Sequence, residues 1–317
     1  MALTVSQLAS ITQELYIPKA VDAIFLSNGT LFRLREKGIK YSGGRDIVQP
    51  VIYAKVTASN YFEGYEVLAT TPNDVLTAAV FQYRQYYAHI SISGREELLN
   101  SGKEAILNLL EAKRMAAEMT LMDNLGSGLQ GTNATVGKAI DGLQDMLSTS
   151  NTYGGIATTD FSNWAAKQRT LTTAGTLTLA DMQRAFGSAT IGSDHPTVVI
   201  TRQSVFDKFW TLLQPDQRFV DKNMGEAGFT SLSFNGVPLI VDSHVPGSDG
   251  GSQNNWVEFL NERYVWLGIH KDANFKVVPI PPTREQDVKM VRILWAGNLL
   301  TSRRDVHCFI NSVDPNL

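Results

Sequence analysis

The sequence predicts a mixed α+β fold built on extended elements, and three observations predict it. Ser93 to Gly126 is about thirty residues of mainly Leu, Ala, Glu, Lys and Met without a proline, roughly 45 Å of helix where a helix usually has eleven or twelve residues. Before it, Asp46–Val56 and Val75–Ile92 alternate β-branched or aromatic residues with polar ones, the pattern of two strands. After it, short strand-like and helix-like segments interleave to the C-terminus, and no internal repeat is visible.

The elements follow in chain order. Residues 1–45 form an amphipathic N-terminal segment in which Leu8, Ile11, Leu15, Ile24, Phe25 and Leu31 are spaced for a helix that Pro18 breaks, and Ser42-Gly43-Gly44 ends it. The two strands of residues 46–92 flank Thr57–Asp74, which carries Gly64 and Pro72 and reads as the tip of a long hairpin. Tyr53, Tyr61, Phe62, Tyr65, Phe81, Tyr83, Tyr86 and Tyr87 crowd this region. A two-stranded ribbon cannot bury its own side chains, so one this aromatic calls for a partner surface, the alternative being that both strands join the main sheet.

The long helix opens on a capping box, Ser93-Gly-Arg-Glu96, and is expected to close at Gly126. Leu98, Gly102, Ile106, Leu109, Ala112, Ala116, Met119 and Met122 recur at three and four, one apolar stripe opposite a charged face of Lys103, Glu111, Arg114 and Glu118. Gly102 is the expected place for a bend. Beyond a loop rich in Gly, Ser, Thr and Asn, helices are expected at Asp160–Arg169, Leu179–Gly187 and Gln203–Leu213. Strands are expected at Pro196–Thr201, Gly236–Asp242, Trp256–Leu260, Tyr264–Ile269, Asp287–Ala296 and Asp305–Ile310, the last two joined around Thr301-Ser-Arg-Arg304.

Composition excludes several functions. The 317 residues can bury a sizeable core, and the 19 % charged content leaves surface for contacts. A net charge of -3 gives no basic footprint for tight nucleic-acid binding and no polybasic membrane patch. Cys308 is the only cysteine, which excludes an intrachain disulfide and a cysteine-based metal site. The N-terminus lacks the basic-then-apolar signal pattern and no run approaches eighteen apolar residues, so the expectation is a soluble protein, intracellular when made, without a membrane.

No catalytic motif survives inspection. Gly126-Ser-Gly128-Leu-Gln-Gly131 matches the dinucleotide pattern in letters but follows a helix where that fingerprint needs a strand, and Gly131–Lys138 has the wrong phosphate-loop spacing. The five histidines are scattered, with none at metal-ligand spacing. Asp242-Ser243-His244 places triad residue types side by side, but neighbours on an extended chain diverge. Neither an enzyme nor a cofactor or metal site is expected; a serine hydrolase on Ser243 and His244 is kept only as a remote alternative.

Several ordered stretches carry a resemblance. His89-ISISGREELLNSG102, Ile140-DGL143, Thr152-YGGI156 and Trp164 come first, then Gly228-FTSLSFNGVPLIVD242, Trp256-VEFLN261 and Trp295-AGNLLTSRR304. In order and spacing they resemble the major capsid proteins of tailed bacteriophages, the Hong Kong-97-type fold, over nearly the whole chain. The resemblance implies an N-terminal arm at residues 1–45, an extended β-hairpin loop at 46–92 lying on a neighbouring subunit, and a spine helix with peripheral domain at 93–138. It further implies an axial domain at 139–261 and return strands at 262–317.

The implied function is a self-assembling, non-enzymatic shell subunit of the virion, formed in the host cytoplasm around double-stranded DNA. Its partners would be itself, in hexamers and pentamers, with separate scaffolding, portal and decoration proteins. Because no scaffolding segment precedes the arm, scaffolding is expected from another protein or from processing. No cross-link is assigned to Lys55. The candidate contact residues are Tyr53, Tyr61, Phe62 and Tyr65 on the loop; Leu98, Ile106, Leu109 and Met119 mark the spine. A cargo-enclosing bacterial compartment shell of the same fold, encapsulin-like, is the nearer alternative.

Overall fold

The computed structural model describes residues 28–99 apart from 69, 71 and 73, then 109–133, 137–213, 232–248, 254–280 and 287–317. The expectations for Leu8 to Phe25 and for Gly102 and Ile106 lie outside the described residues. The described residues fall into two compact units. One draws on Tyr87–Met122 and Phe275–Leu294; the other on Leu26–Tyr86, Asp123–Asn274 and Trp295–Leu317.

In the first unit, strand β4 (Arg84–Ser93) leads into helix α2 (Gly94–Leu99), and the capping box forms as the sequence predicts. Glu96 N donates to Ser93 Oγ and Ser93 N donates to Glu96 Oε2, both at 3.2 Å. Lys113 Nζ closes the corner with bonds to Glu96 Oε2 at 2.9 Å and Ser91 O at 3.0 Å. Strand β13 (Lys276–Ile280), which sequence reasoning left out, pairs antiparallel with Met290–Leu294 of the fourteen-residue β14 (Val288–Thr301).

The second unit holds the larger core, on a six-stranded mixed sheet. Its order is β7 (Lys167–Arg169), β15 (Cys308–Val313), β11 (Asn255–Leu260), β8 (Val198–Thr201), β10 (Val237–Val241) and β9 (Leu232–Phe234). Helices α5 (Leu179–Ala189) and α6 (Gln203–Leu212) pack on it. Met182, Ala185, Phe206 and Phe209 meet Val199, Leu239, Phe259 and Ile310 there, all buried. Strand β8, Val198-Val-Ile-Thr201, is buried throughout, which is why its sequence runs apolar without alternation. Helix α5 starts where Thr178 Oγ1 accepts from Asp181 N at 3.1 Å. Burial raises the Asp181 pKa, but hydrogen bonds from Thr172 and Thr178 outweigh it and hold the carboxyl below its ordinary value.

Several expectations are corrected. Asp160–Arg169 is no helix: it holds one 3₁₀ turn, Ser162–Trp164, then β7. Trp164 is buried there and donates Nε1–H to Tyr153 O at 2.9 Å. The predicted strand Val75–Ile92 divides at Tyr83 into β3 (Leu76–Gln82) and β4, and only β3 pairs with β2 (Asp46–Ile52); β4 pairs with β14. Strands β14 and β15, joined around Thr301–Arg304 as expected, lie in different sheets. Strand β9 was missed although Asn235-Gly236 announces it: both residues have positive φ, 51° and 76°, the two-residue turn that joins β9 to β10.

The long helix does not close at Gly126. Helix α3 (Leu109–Gln130) runs through that residue, because its glycine serves packing: a Cβ there would lie 2.1 Å from Asn28 Oδ1. Its inner face, Leu121, Leu125 and Leu129, is almost fully buried.

Candidate inter-subunit surface

The ribbon β2–β3 is the most distinctive surface of the chain. Its register pairs Ile47 with Phe81, Gln49 with Ala79 and Val51 with Thr77 on one face, and Val48 with Val80, Pro50 with Ala78 and Ile52 with Leu76 on the other. The first face packs inward. Ile47, Ala79 and Phe81 are buried, and the Phe81 ring meets Tyr153 edge-on with centroids 5.4 Å apart.

The Thr152–Ala157 hairpin supports it: Val80 N donates to Gly154 O at 2.8 Å. Gly154 has φ 59°, and a Cβ on it would sit 3.0 Å from the Phe81 ring, so turn and ribbon both require glycine there. Asn298 Nδ2 anchors the end of β3, donating to Gln82 O at 2.9 Å and Asp141 Oδ2 at 2.7 Å.

The second face is apolar and uncovered. Ile52 is 75 % exposed, Leu76 60 %, Val48 57 % and Val80 41 %. With Pro50 and Ala78 these make six consecutive paired positions without a polar side chain. Beyond it, Tyr61 and Tyr65 are as exposed as in an extended chain, and Phe62, Val67 and Leu68 are also exposed. Tyr53, expected to be a contact residue with them, also packs within its own chain. Its ring lies 4.1 Å from Phe161, and its hydroxyl donates to Asp74 O at 2.8 Å. Beside it a cleft of about 390 Å³ runs between Pro50–Tyr53 and Phe161, Trp164, Arg303 and Asp305.

Of the spine residues, Leu98 is 76 % exposed, Met119 is half-buried and Leu109 opens α3. The six residues of the outer ribbon face were absent from the expected contacts. Their signal lay in one parity of each segment, Val48, Pro50 and Ile52 and then Leu76, Ala78 and Val80, while the other parity holds the buried residues together with Gln49 and Thr77.

Two buried clusters fix the frame under this surface. Arg304 is fully buried and donates to Met146 O at 2.7 Å, Asp145 O at 3.0 Å, Ser148 O at 2.7 Å and Asn151 Oδ1 at 2.9 Å, beneath the Tyr153 ring. A cation thus terminates the short helix Leu143–Met146 where its carbonyls need donors. Burial lowers its pKa to about 10, still charged at neutral pH, and lowers neighbouring His307 to about 3, leaving that ring neutral.

The second cluster is Asp242-Ser243-His244. His244 Nε2 meets Asp123 Oδ1 at 3.0 Å and Nδ1 meets Asp242 Oδ1 at 3.3 Å, so both ring nitrogens face carboxylates and neither engages the Ser243 hydroxyl. Asp242 Oδ2 also accepts from Thr30 N at 2.9 Å, holding the start of helix α1 (Gly29–Glu36). Among the described residues no group of His, Cys, Asp and Glu could hold a metal ion, and no helix is long and apolar enough to cross a membrane.

No family model and no curated protein matches the sequence. Solved structures do match it along its whole length. The capsid of cyanophage A-1(L) aligns over 98 % of this chain and 99 % of its own, with 15 % identity and a TM-score of 0.70. The capsid of a native GTA particle aligns over 99 % of each chain, with 9 % identity and a TM-score of 0.72. An encapsulin complex of Synechococcus elongatus covers 100 % of this chain and 98 % of its own, with 11 % identity and a TM-score of 0.66. The chain has the Hong Kong-97-type fold of capsid and encapsulin proteins, an α+β architecture, as the resemblance in its sequence implies.

Proposed function

We propose that this chain is the structural subunit of an icosahedral shell, the major capsid protein of a tailed phage, which assembles with copies of itself into hexamers and pentamers around double-stranded DNA. The observation that carries this reading is the outer face of the β2–β3 ribbon, six apolar positions that no described residue covers. A soluble subunit holds such a face open only where a partner covers it. The full-length likeness to phage capsids makes that partner a second copy.

In this reading residues 1–45 are the arm, 46–92 the loop that reaches a neighbour, 93–138 the spine and peripheral domain, 139–261 the axial domain and 262–317 the return strands. Tyr61, Phe62 and Tyr65 make the outermost contact, with the ribbon face beneath them. Scaffolding, portal and decoration proteins complete the head in the host cytoplasm. The net charge of -3 suits a shell around DNA, because a strongly basic lining would hold phosphate and hinder packing and release.

Deleting Thr57–Thr71 tests the loop. The shortened protein is expected to remain a folded monomer and to lose stable shells; shells formed equally well would remove the loop as the clamp. The encapsulin likeness supports a second reading, a compartment shell around protein cargo. The contents of purified particles decide between them: packaged DNA supports the capsid, and a co-purifying protein cargo without DNA supports the compartment.

A further inference from the structure

Beneath helix α1 lies a buried chain of polar groups with one donor missing. Glu258, on the central strand β11, is fully buried, and neither carboxyl oxygen has a hydrogen-bond donor. The Gln130 amide stands beside it at the end of α3. Gln130 Nε2 is committed to Thr30 Oγ1 at 3.0 Å, which leaves Gln130 Oε1 buried and also without a donor.

The chain continues from Thr30 N to Asp242 Oδ2 at 2.9 Å, and from Asp242 through His244 to Asp123. The strand neighbours of Glu258 are Ile200 on one side and Phe309 on the other, so neither supplies a charge. The charged groups facing it are Asp242, at the end of β10, and behind that carboxylate His244 and Asp123. With Gln130 Nε2 on Thr30, two sets of buried acceptors face each other, a costly arrangement unless a proton lies between them; the amide turned the other way would instead donate to a Glu258 carboxylate left charged beside Asp242.

We propose that Glu258 is held as the neutral acid, that its O–H donates to Gln130 Oε1, and that this proton locks helix α1 through Gln130 and Thr30, so that alkaline pH unlocks it. One proton completes the network: Glu258 to Gln130, Gln130 to Thr30, and Thr30 to Asp242. Losing it leaves a buried carboxylate facing the Asp242 carboxylate, with Gln130 Oε1 still unpartnered. Burial, reinforced by the Asp242 charge, raises the Glu258 pKa to about 8, which sets the pH at which the lock opens.

Infrared spectroscopy of the full chain tests the protonation directly. Among the 31 Asp and Glu residues, every described carboxyl with a shifted pKa other than Glu258 is lowered, so at pH 7 those are carboxylates. The wild type is expected to show a protonated-carboxyl carbonyl band at pH 7 that disappears as pH rises through about 8. Glu258→Gln, which keeps a donor for Gln130 Oε1, is expected to lack the band. A wild type without the band at pH 7, or a variant that keeps it, overturns the proposal. This measurement needs no variant if Glu258→Gln fails to fold.

Amide exchange tests the lock. Corrected for the intrinsic rise with pH, protection of the peptide spanning residues 29–36 is expected to fall at least about tenfold between pH 7 and 9 in the wild type, the loss per pH unit of one released proton. Glu258→Gln is expected to keep it, and equal loss in both proteins overturns the lock. His244, whose pKa its hydrogen bond to Asp242 raises, also loses a proton as pH climbs, which is why the variant, and not the pH curve alone, carries the comparison.

Discussion

Arg304 shows how a single residue sets local structure. Of the four hydrogen bonds from one buried guanidinium, two supply donors to the last carbonyls of helix Leu143–Met146 and two reach Ser148 O and Asn151 Oδ1 beyond it. Arg304→Ala is expected to cost at least about 3 kcal/mol, because it strands several buried carbonyls and leaves a cavity. Urea unfolding measures this; a loss below about 1 kcal/mol would show that water satisfies those carbonyls instead. Arg304→Lys recovers only part, since an ammonium cannot reproduce the guanidinium fork.

His244 makes a pH prediction of its own. Its hydrogen bond to Asp242 raises its pKa against the opposing effect of burial, and the charges of Asp242 and Asp123 add to the rise. A raised cationic group stabilises fully below its unfolded pKa of about 6.5 and loses that contribution as pH climbs through the folded value. The alkaline slope in stability that survives in Glu258→Gln is therefore expected to shrink in Glu258→Gln with His244→Gln, the rest belonging to Cys308 and the tyrosines whose pKa burial raises. Asp242 and Glu262 act oppositely. Both are raised by burial but lowered further by hydrogen bonds, to His244 and Thr30 in one case and to Arg33 and Lys37 in the other. Their stabilisation is present above the unfolded carboxylate pKa and is lost as pH falls through the folded values.

Among the elements, the ribbon carries the argument. Covering Val48, Ile52, Leu76 and Val80 contributes roughly 1.5–3 kcal/mol each if they go from fully exposed to fully buried. They start about half-covered, so the gross gain is roughly 3–6 kcal/mol per copy. Association of two bodies costs about 4–15 kcal/mol, so this face alone does not hold a dimer, while a closed ring with many such contacts is stable. Replacing Ile52 and Leu76 together by Asp is therefore expected to leave the monomer's unfolding midpoint nearly unchanged while assembly is lost. Circular dichroism and light scattering on one preparation separate these outcomes; a variant that still assembles would show that the face is not an interface.

Much at this scale was legible in sequence, for reasons that also explain the gaps. The capping box, α5, α6 and the apolar strand β8 are local signals, and they fold as read. The division of Val75–Ile92 at Tyr83 was not, because both halves favour strand and only their partners differ. Nor was the continuation of α3 past Gly126, since a glycine that ends a helix and one that admits Asn28 look alike in sequence. The contact of Tyr53 with Phe161 is long-range and invisible to any local pattern. The outer ribbon face was visible in the apolar parity of two segments, but only the register could say which half was left open.

At the scale of the whole molecule, a sizeable core coexists with a loop whose tip leaves Tyr61, Phe62, Tyr65, Val67 and Leu68 exposed. The fold is that of capsids and encapsulins, with full-length alignment to both. The measurement that tests the central claim most directly is electron microscopy of the purified full chain, alone and with scaffold supplied. Closed shells, or rings of five and six subunits, are the predicted result. A strictly monomeric 34.9 kDa particle under every condition would contradict the account.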